Sequence, residues 1–326
     1  MRNRPDKRFC AAVDVGGTKI SSALFTSRAQ MLHKNKIPVH KSGGEQSVRQ
    51  IIKVIHRLEE YARAQGGKIL AAGIAIPGVV YHETGLVWAP NIPGWDHLPL
   101  LKNIQKETAL PLILESDRSA YVMGEQWSGI ARGFQDVVFL AVGTGIGAGI
   151  ITGGKLCTGS EDIAGAVGWF ALTPEYREEY GHRGCFEAEA SGDSVARRAV
   201  GLIRTGESSL MKEMAGGQTE KITAETVMEA ARKNDPLALK VVDMTIQYLA
   251  MGIANIISIL NPGMVVLGGG LFQASDLLLE PVRREFKRWA QPLAAEKVRI
   301  ELSLLGEDAG LYGAGKLAWN HHEYHK

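Results

Sequence analysis

The chain has 326 residues, a length that suggests two domains rather than one. Its 37 Lys+Arg against 35 Asp+Glu leave a formal charge of +2, which argues against nucleic-acid binding through a strongly basic face. With 45% hydrophobic and 22% charged residues it has an ordinary globular composition that excludes wholesale disorder; the 38 glycines are in excess and clustered.

The basic start MRNRPDKR is followed by no apolar signal core and reads as a solvated tail. Residues 8–15 (RFCAAVDV) are an apolar run ending in glycines, a buried strand entering a tight turn, with 20–27 as its hairpin partner. Val48, Ile51, Ile52, Ile55, Leu58 and Ala62 fall at helical spacing, so 45–65 is an amphipathic helix. ILAAGIAIPG is a strand stopped by Pro77-Gly78. A short helix follows over 98–108, then the strand PLILE and a helix over 118–127.

The opening theme then recurs: VVFLAV, the turn GTGIG, and AGIITGGK as return strand. Helices are expected over 193–204, 223–233 and 236–260, a strand with a glycine turn at MVVLGGG, then helix 274–290, strand 298–304 and helix 308–319. This alternation gives an α/β class. Two uncharged stretches, 137–154 and 244–275, read as strand–turn–strand and as buried helix plus strand, not as membrane spans. Segments 173–190 and 205–222 carry the weakest structural signal. Cys10, Cys157 and Cys185 are too scattered for a disulfide framework, which points to the cytoplasm.

Three glycine turns carry the chemical signal, each at the end of an apolar strand. In the first, Asp14-Val15-Gly16-Gly17-Thr18-Lys19, glycines admit a phosphate close to the backbone and successive N–H groups form an anion nest. Thr18 and Lys19 add donors, and Asp14 can hold Mg²⁺ through water. The second holds Gly143, Thr144, Gly145 and Gly147; a strand rather than a helix follows it, so it is not a dinucleotide fingerprint. The third, Gly268-Gly269-Gly270, suits packing against an adenosine, or simply a tight strand-to-helix connection.

Together these motifs make the chain resemble the ROK family (repressors, open reading frames and kinases) of the actin-like ATPase superfamily, nearly end to end. DVGGTK and GTGIGAGII resemble its two phosphate loops, and NPGMVVLGGG its adenosine-side segment. GIAIPGVV, APNIPGW and LESDRSAYVMGE resemble its acceptor-side segments, and DAGLYGAGKLA its C-terminal helix. The resemblance implies a two-lobed actin-like ATPase (ribonuclease H-like) α/β fold. The N-terminal lobe would comprise 1–115 plus 308–326 and the larger C-terminal lobe 116–307, with nucleotide and sugar in the cleft between lobes. It implies an ATP- and Mg²⁺-dependent sugar kinase and a homodimer, with neither membrane nor nucleic acid as partner. Asp117 would be the general base that accepts the proton of the attacking sugar hydroxyl. Read from the residues alone, Asp117 also suits a helix N-cap.

The acceptor side departs from the family pattern. Ser116 stands where the family has Asn, and GEIGH reads Gly165-Ala166-Val167-Gly168-Trp169, without its Glu and His. Gly78, Asn91, Ser116, Asp117, Glu187 and Trp169 are the candidate sugar contacts. Trp169 either offers a stacking face or fills core volume. Of the family's zinc ligands, Trp169, Glu178 and Tyr180 replace three and Cys185 alone remains, so no zinc is expected. Segment 173–190 should then be held by packing of Trp169, Tyr176, Tyr180 and Phe186. The acceptor is expected to be a hexose or N-acetylhexosamine not held as plain glucose usually is. The rival reading is a non-catalytic sugar or nucleotide sensor. A repressor would need a DNA-binding domain ahead of Asp14, for which these residues leave no room.

Overall fold

The computed structural model describes residues 7–324; residues 1–6 of the expected N-terminal tail lie outside that range. The chain forms two compact units, one of Met1–Phe134, Gly149–Ala164 and Ser303–Lys326, the other of Gln135–Ala148 and Gly165–Leu302.

The elements of the first unit begin with β1 (Lys7–Val15), β2 (Lys19–Phe25), β3 (Met31–Pro38), α1 (Gly44–Ala64), β4 (Gly67–Ile76) and the small hairpin β5 (Val79–Tyr81) and β6 (Leu86–Trp88). They continue with α2 (Leu100–Gln105), β7 (Leu112–Ser116) and α3 (Asp117–Ser128). The sheet order is β3-β2-β1-β4-β7, with β1 antiparallel to β2 and parallel to β4, and β4 parallel to β7. Both faces of β1 are buried, as central parallel strands require. Ala11, Val13 and Val15 join Ile51, Ile55 and Leu58 of α1 in one core; Cys10 and Ala12 join Leu311, Ala314 and Ala318 in another. β3 was not anticipated, because its HKNK run is exposed and shows no apolar alternation.

The second unit carries β8 (Val137–Val142) and the start of β9 (Ile146–Thr152). β9 runs on into the first unit, where β10 (Lys155–Leu156) pairs antiparallel with its end. Then follow α4 (Tyr180–Arg183), α5 (Cys185–Ala190), α6 (Gly192–Arg204), α7 (Leu210–Met214), α8 (Ala224–Arg232) and α9 (Pro236–Leu260). β11 (Met264–Gly268), α10 (Ser275–Glu285), α11 (Pro292–Lys297) and β12 (Arg299–Leu302) complete it. β11 lies between β8 and β12, parallel to both. α9 is long and apolar enough to cross a membrane, yet Leu249, Ile253 and Ile257 are buried, as a core helix requires.

The last helix, α12 (Ala309–Tyr324), returns to the first unit and packs on α3. Backbones approach so closely that a β-carbon on Gly313 would stand 1.8 Å from the Ala120 carbonyl oxygen. This packing corrects the expected lobe boundary at 115/116: α3, and Asp117 with it, belong to the first unit. The expected boundary at 307/308 also moves, to 302/303, because the Ser303 hydroxyl donates to the buried Glu125 of α3.

Candidate active site

In the first unit, β1, β4 and β7 are in register, with Asp14 opposite Ala75 and Ala75 opposite Glu115. Their C-terminal ends form one edge, the usual place for ligand sites in parallel sheets. Asp14 sits at that edge. Burial, then the charge of Asp117, push its carboxyl up to about 7. The turn after it closes through the Gly16 N–H donating to the Lys19 carbonyl at 2.8 Å, and leaves Gly17, Thr18 and Lys19 exposed. The Lys19 ammonium is paired with Glu307 at 2.8 Å, which Lys36 also meets at 2.9 Å.

The N-cap of α3 is Ser116, not Asp117. Ser116 has extended backbone, and its Oγ accepts the Ser119 N–H at 3.3 Å. That hydroxyl also donates to Ser119 Oγ at 2.9 Å, so it is engaged in capping. Asp117 is thereby released from the capping role. Its Oδ1 accepts the Arg118 N–H at 2.8 Å and its Oδ2 accepts the Tyr121 hydroxyl at 3.3 Å. Burial holds its carboxyl above the usual range. Gly78 has φ +127°, and a β-carbon there would stand 2.1 Å from the Trp88 carbonyl oxygen, so the turn into β5 admits only glycine. Asn91 is exposed on a loop pinned by the buried Ile92 and Trp95.

In the second unit, Gly143, Thr144 and Gly270 line one cleft of about 710 Å³. Gly192 at the start of α6 donates its N–H to the Gly143 carbonyl at 2.7 Å. Gly268 and Gly269 stand behind this wall. A β-carbon on Gly268 would strike the Phe139 ring at 2.3 Å, and one on Gly269, at φ +94°, the Val142 carbonyl oxygen at 2.4 Å. Gly147 lies within β9. The cleft also draws on Asp193, Glu225, Met228, Arg232 and Gln273, which sequence reasoning missed. The Ser191 cap of α6 and the Thr223–Thr226 capping box of α8 were the available signals.

Glu187, on α5, accepts the Ile146 N–H at 2.8 Å, and burial raises its pKa. A β-carbon on Gly145 would stand 2.7 Å from Glu187 Oε2, so the second glycine turn and Glu187 form one unit of packing. Trp169 is 57% exposed, which settles its alternatives against a core filler.

Segment 173–190 is held differently from expectation. Phe186 and Tyr180 are buried, but Tyr176 and Trp169 are exposed. The missing element is Glu189, 1% exposed, which accepts from Arg177 at 2.9 Å, from Arg198 at 2.7 Å and from the Tyr180 hydroxyl. Cys185 Sγ accepts the Leu172 N–H at 3.4 Å. These residues do not suit zinc, and among the described residues no group of three or more His, Cys, Asp or Glu could hold a metal ion.

A profile of the ROK family matches residues 10–321. A glucokinase of Halalkalibacterium halodurans is 34% identical over 95% of this chain and 94% of its own. An N-acetyl-D-glucosamine kinase of Pasteurella multocida is 28% identical over 93% and 97%. A ROK glucokinase from Streptomyces griseus, solved with glucose and AMPPNP, superposes with a TM-score of 0.79 at 30% identity, covering 96% of this chain and 99% of its own.

Proposed function

The chain belongs to the ROK family and is a sugar kinase with its two-lobed actin-like ATPase fold; we propose that it transfers the γ-phosphoryl group of ATP to a hydroxyl of a hexose or N-acetylhexosamine, with Asp117 as general base. The observation that carries this reading is Asp117 itself. It is freed from capping by Ser116, oriented through both carboxylate oxygens, and placed on the sheet edge that also presents Asp14. The sugar hydroxyl passes its proton to the Asp117 carboxylate as its oxygen attacks the γ-phosphorus, and ADP leaves.

ATP use is supported by the second-unit cleft, where Gly143, Thr144 and Gly270 leave room for phosphates and adenosine against bare backbone. In the first unit, the exposed turn 16–19 offers backbone donors suited to a phosphate. Mg²⁺ suits Asp14: burial and the Asp117 charge disfavour its carboxylate, and a hard divalent cation would offset both. When bound, that ion would neutralise charge on the phosphates. Glu187, Asn91 and Gly78 are the proposed sugar contacts, and exposed Trp169 offers an aromatic face to an apolar or N-acetyl group. The family's zinc has no place in this account. The homodimer is proposed on the same resemblance, and the cytoplasm on the three scattered cysteines.

ADP release from MgATP across a panel of hexoses and N-acetylhexosamines tests the reading. Turnover that depends on one of these sugars is expected. Saturable ATP or sugar binding without turnover on any of them would replace the kinase reading with that of a sensor.

A further inference from the structure

His82, at the turn after β5, has a carboxylate on each ring nitrogen. Nδ1 stands 2.6 Å from Asp162 Oδ1 and Nε2 stands 3.2 Å from Glu115 Oε2. Its backbone N–H also donates to Asp162 Oδ2 at 2.9 Å. A carboxylate is only an acceptor, so a ring that satisfies both must donate from both nitrogens and be an imidazolium. The two partners come from distant sequence. Asp162 sits in the 158–164 turn after β10, held at φ +58°, a conformation uncommon for a non-glycine residue. Glu115 is buried near the end of β7, and its other oxygen accepts the Ser116 N–H at 2.8 Å. One chain of contacts therefore runs Asp162–His82–Glu115–Ser116, and the next residue is Asp117.

We propose that His82 is a positioning residue for phosphoryl transfer: its imidazolium, held between the carboxylates of Asp162 and Glu115, clamps the 158–164 turn to the β7–α3 junction and so fixes the direction of Asp117. This rests on the reading of Asp117 as the base. Because Asp117 is the proposed partner of the acceptor hydroxyl, the clamp acts on the acceptor rather than on the nucleotide. The titratable groups facing the ring are Glu115 from β7 and Asp162 from the turn. Hydrogen bonding to Glu115 foremost, and to Asp162, raises the ring's pKa to about 9. Deprotonation leaves one carboxylate without a donor and opens the clamp on the alkaline side.

The test has two arms. In the first, sugar and ATP kinetics are followed from neutral to alkaline pH in wild type, His82→Gln, Asp162→Asn and Asp117→Asn. Wild-type kcat/KM for sugar is expected to fall through about pH 9. His82→Gln should lose that limb and lose about tenfold in sugar kcat/KM at neutral pH, with the KM for ATP unchanged. In the second, ¹⁵N NMR of the wild-type ring should show both nitrogens protonated at neutral pH. Asp162→Asn, which preserves shape, should lower the ring's titration point, a readout that survives if His82→Gln fails to fold. A ring titrating at its ordinary value, or His82→Gln with wild-type rate and limb, overturns the clamp. Asp117→Asn separates the two ideas: full activity in that variant overturns the base, whereas an inactive Asp117→Asn beside an unaffected His82→Gln overturns the clamp alone.

Discussion

The Glu187 carboxylate accepts the backbone N–H of Ile146 at 2.8 Å and lies directly against Gly145. A residue proposed to meet the sugar is thus built into the same packing as the turn proposed to meet the phosphates. Gly145→Ala would push a methyl group to 2.7 Å from Glu187 Oε2, and either the turn or the carboxylate must move. Turnover should fall by about 10²-fold with the chain still folded, because small displacements at reacting groups are costly. Glu187→Gln keeps an acceptor for Ile146 and should chiefly raise the KM for sugar. Steady-state kinetics of both variants check this.

Tyr121 touches the proposed base, Asp117, directly. Its hydroxyl donates to Asp117 Oδ2 at 3.3 Å, and a hydrogen bond to the charged form lowers a carboxyl's pKa. Tyr121→Phe removes the donor and keeps the ring. The acid limb of kcat/KM should move to higher pH, and kcat should fall by roughly fivefold, the worth of about 1 kcal/mol. A pH–rate profile superimposable on wild type would contradict this.

Asp14 gives a stability prediction with a definite sign. Its folded pKa, about 7, lies above the ordinary 3.8. Below the lower value both states are protonated and burial carries no penalty. As pH rises between the two, the unfolded chain releases the proton first, so stability falls; above about 7 the loss is complete. Asp14→Asn should therefore raise the melting temperature of the ligand-free protein at pH 8 by the equivalent of ~1–3 kcal/mol and leave it nearly unchanged at about pH 3. Calorimetry at the two pH values checks it.

Glu189 is predicted to carry the fold of segment 173–190. Removing its charge leaves Arg198, whose side chain is 12% exposed, without its carboxylate partner. Glu189→Gln should cost about 3 kcal/mol or more, as breaking one side of a buried pair does. A chelator should leave the wild-type melting temperature unchanged. Thermal melts with and without chelator measure both.

Much of this architecture was legible in the sequence because it is local. The strand–glycine–strand turns at Asp14 and Gly143, and the helical spacing of Val48 to Ala62, are patterns within one element. What escaped was either unpatterned or distant. β3 exposes four consecutive residues, and Asp117 suited an N-cap as well as a base because only the backbone shows that Ser116 holds the cap. The His82–Asp162 contact joins residues 80 apart. The Glu189 cluster gathers Arg177, Tyr180 and Arg198, whose charges look like ordinary surface polarity until burial is known. The cleft residues Glu225 and Arg232 belong to a helix whose amphipathic pattern signals packing alone.

The most direct measurement follows the phosphoryl group itself. ATP labelled at the γ-phosphate is incubated with Mg²⁺, each sugar of the panel, and either wild type or Asp117→Asn, and the products are separated. Label on a sugar phosphate with wild type, and its loss by about 10³-fold or more in Asp117→Asn with ATP binding retained, is the predicted result. Sugar phosphate formed equally well by Asp117→Asn would contradict the account.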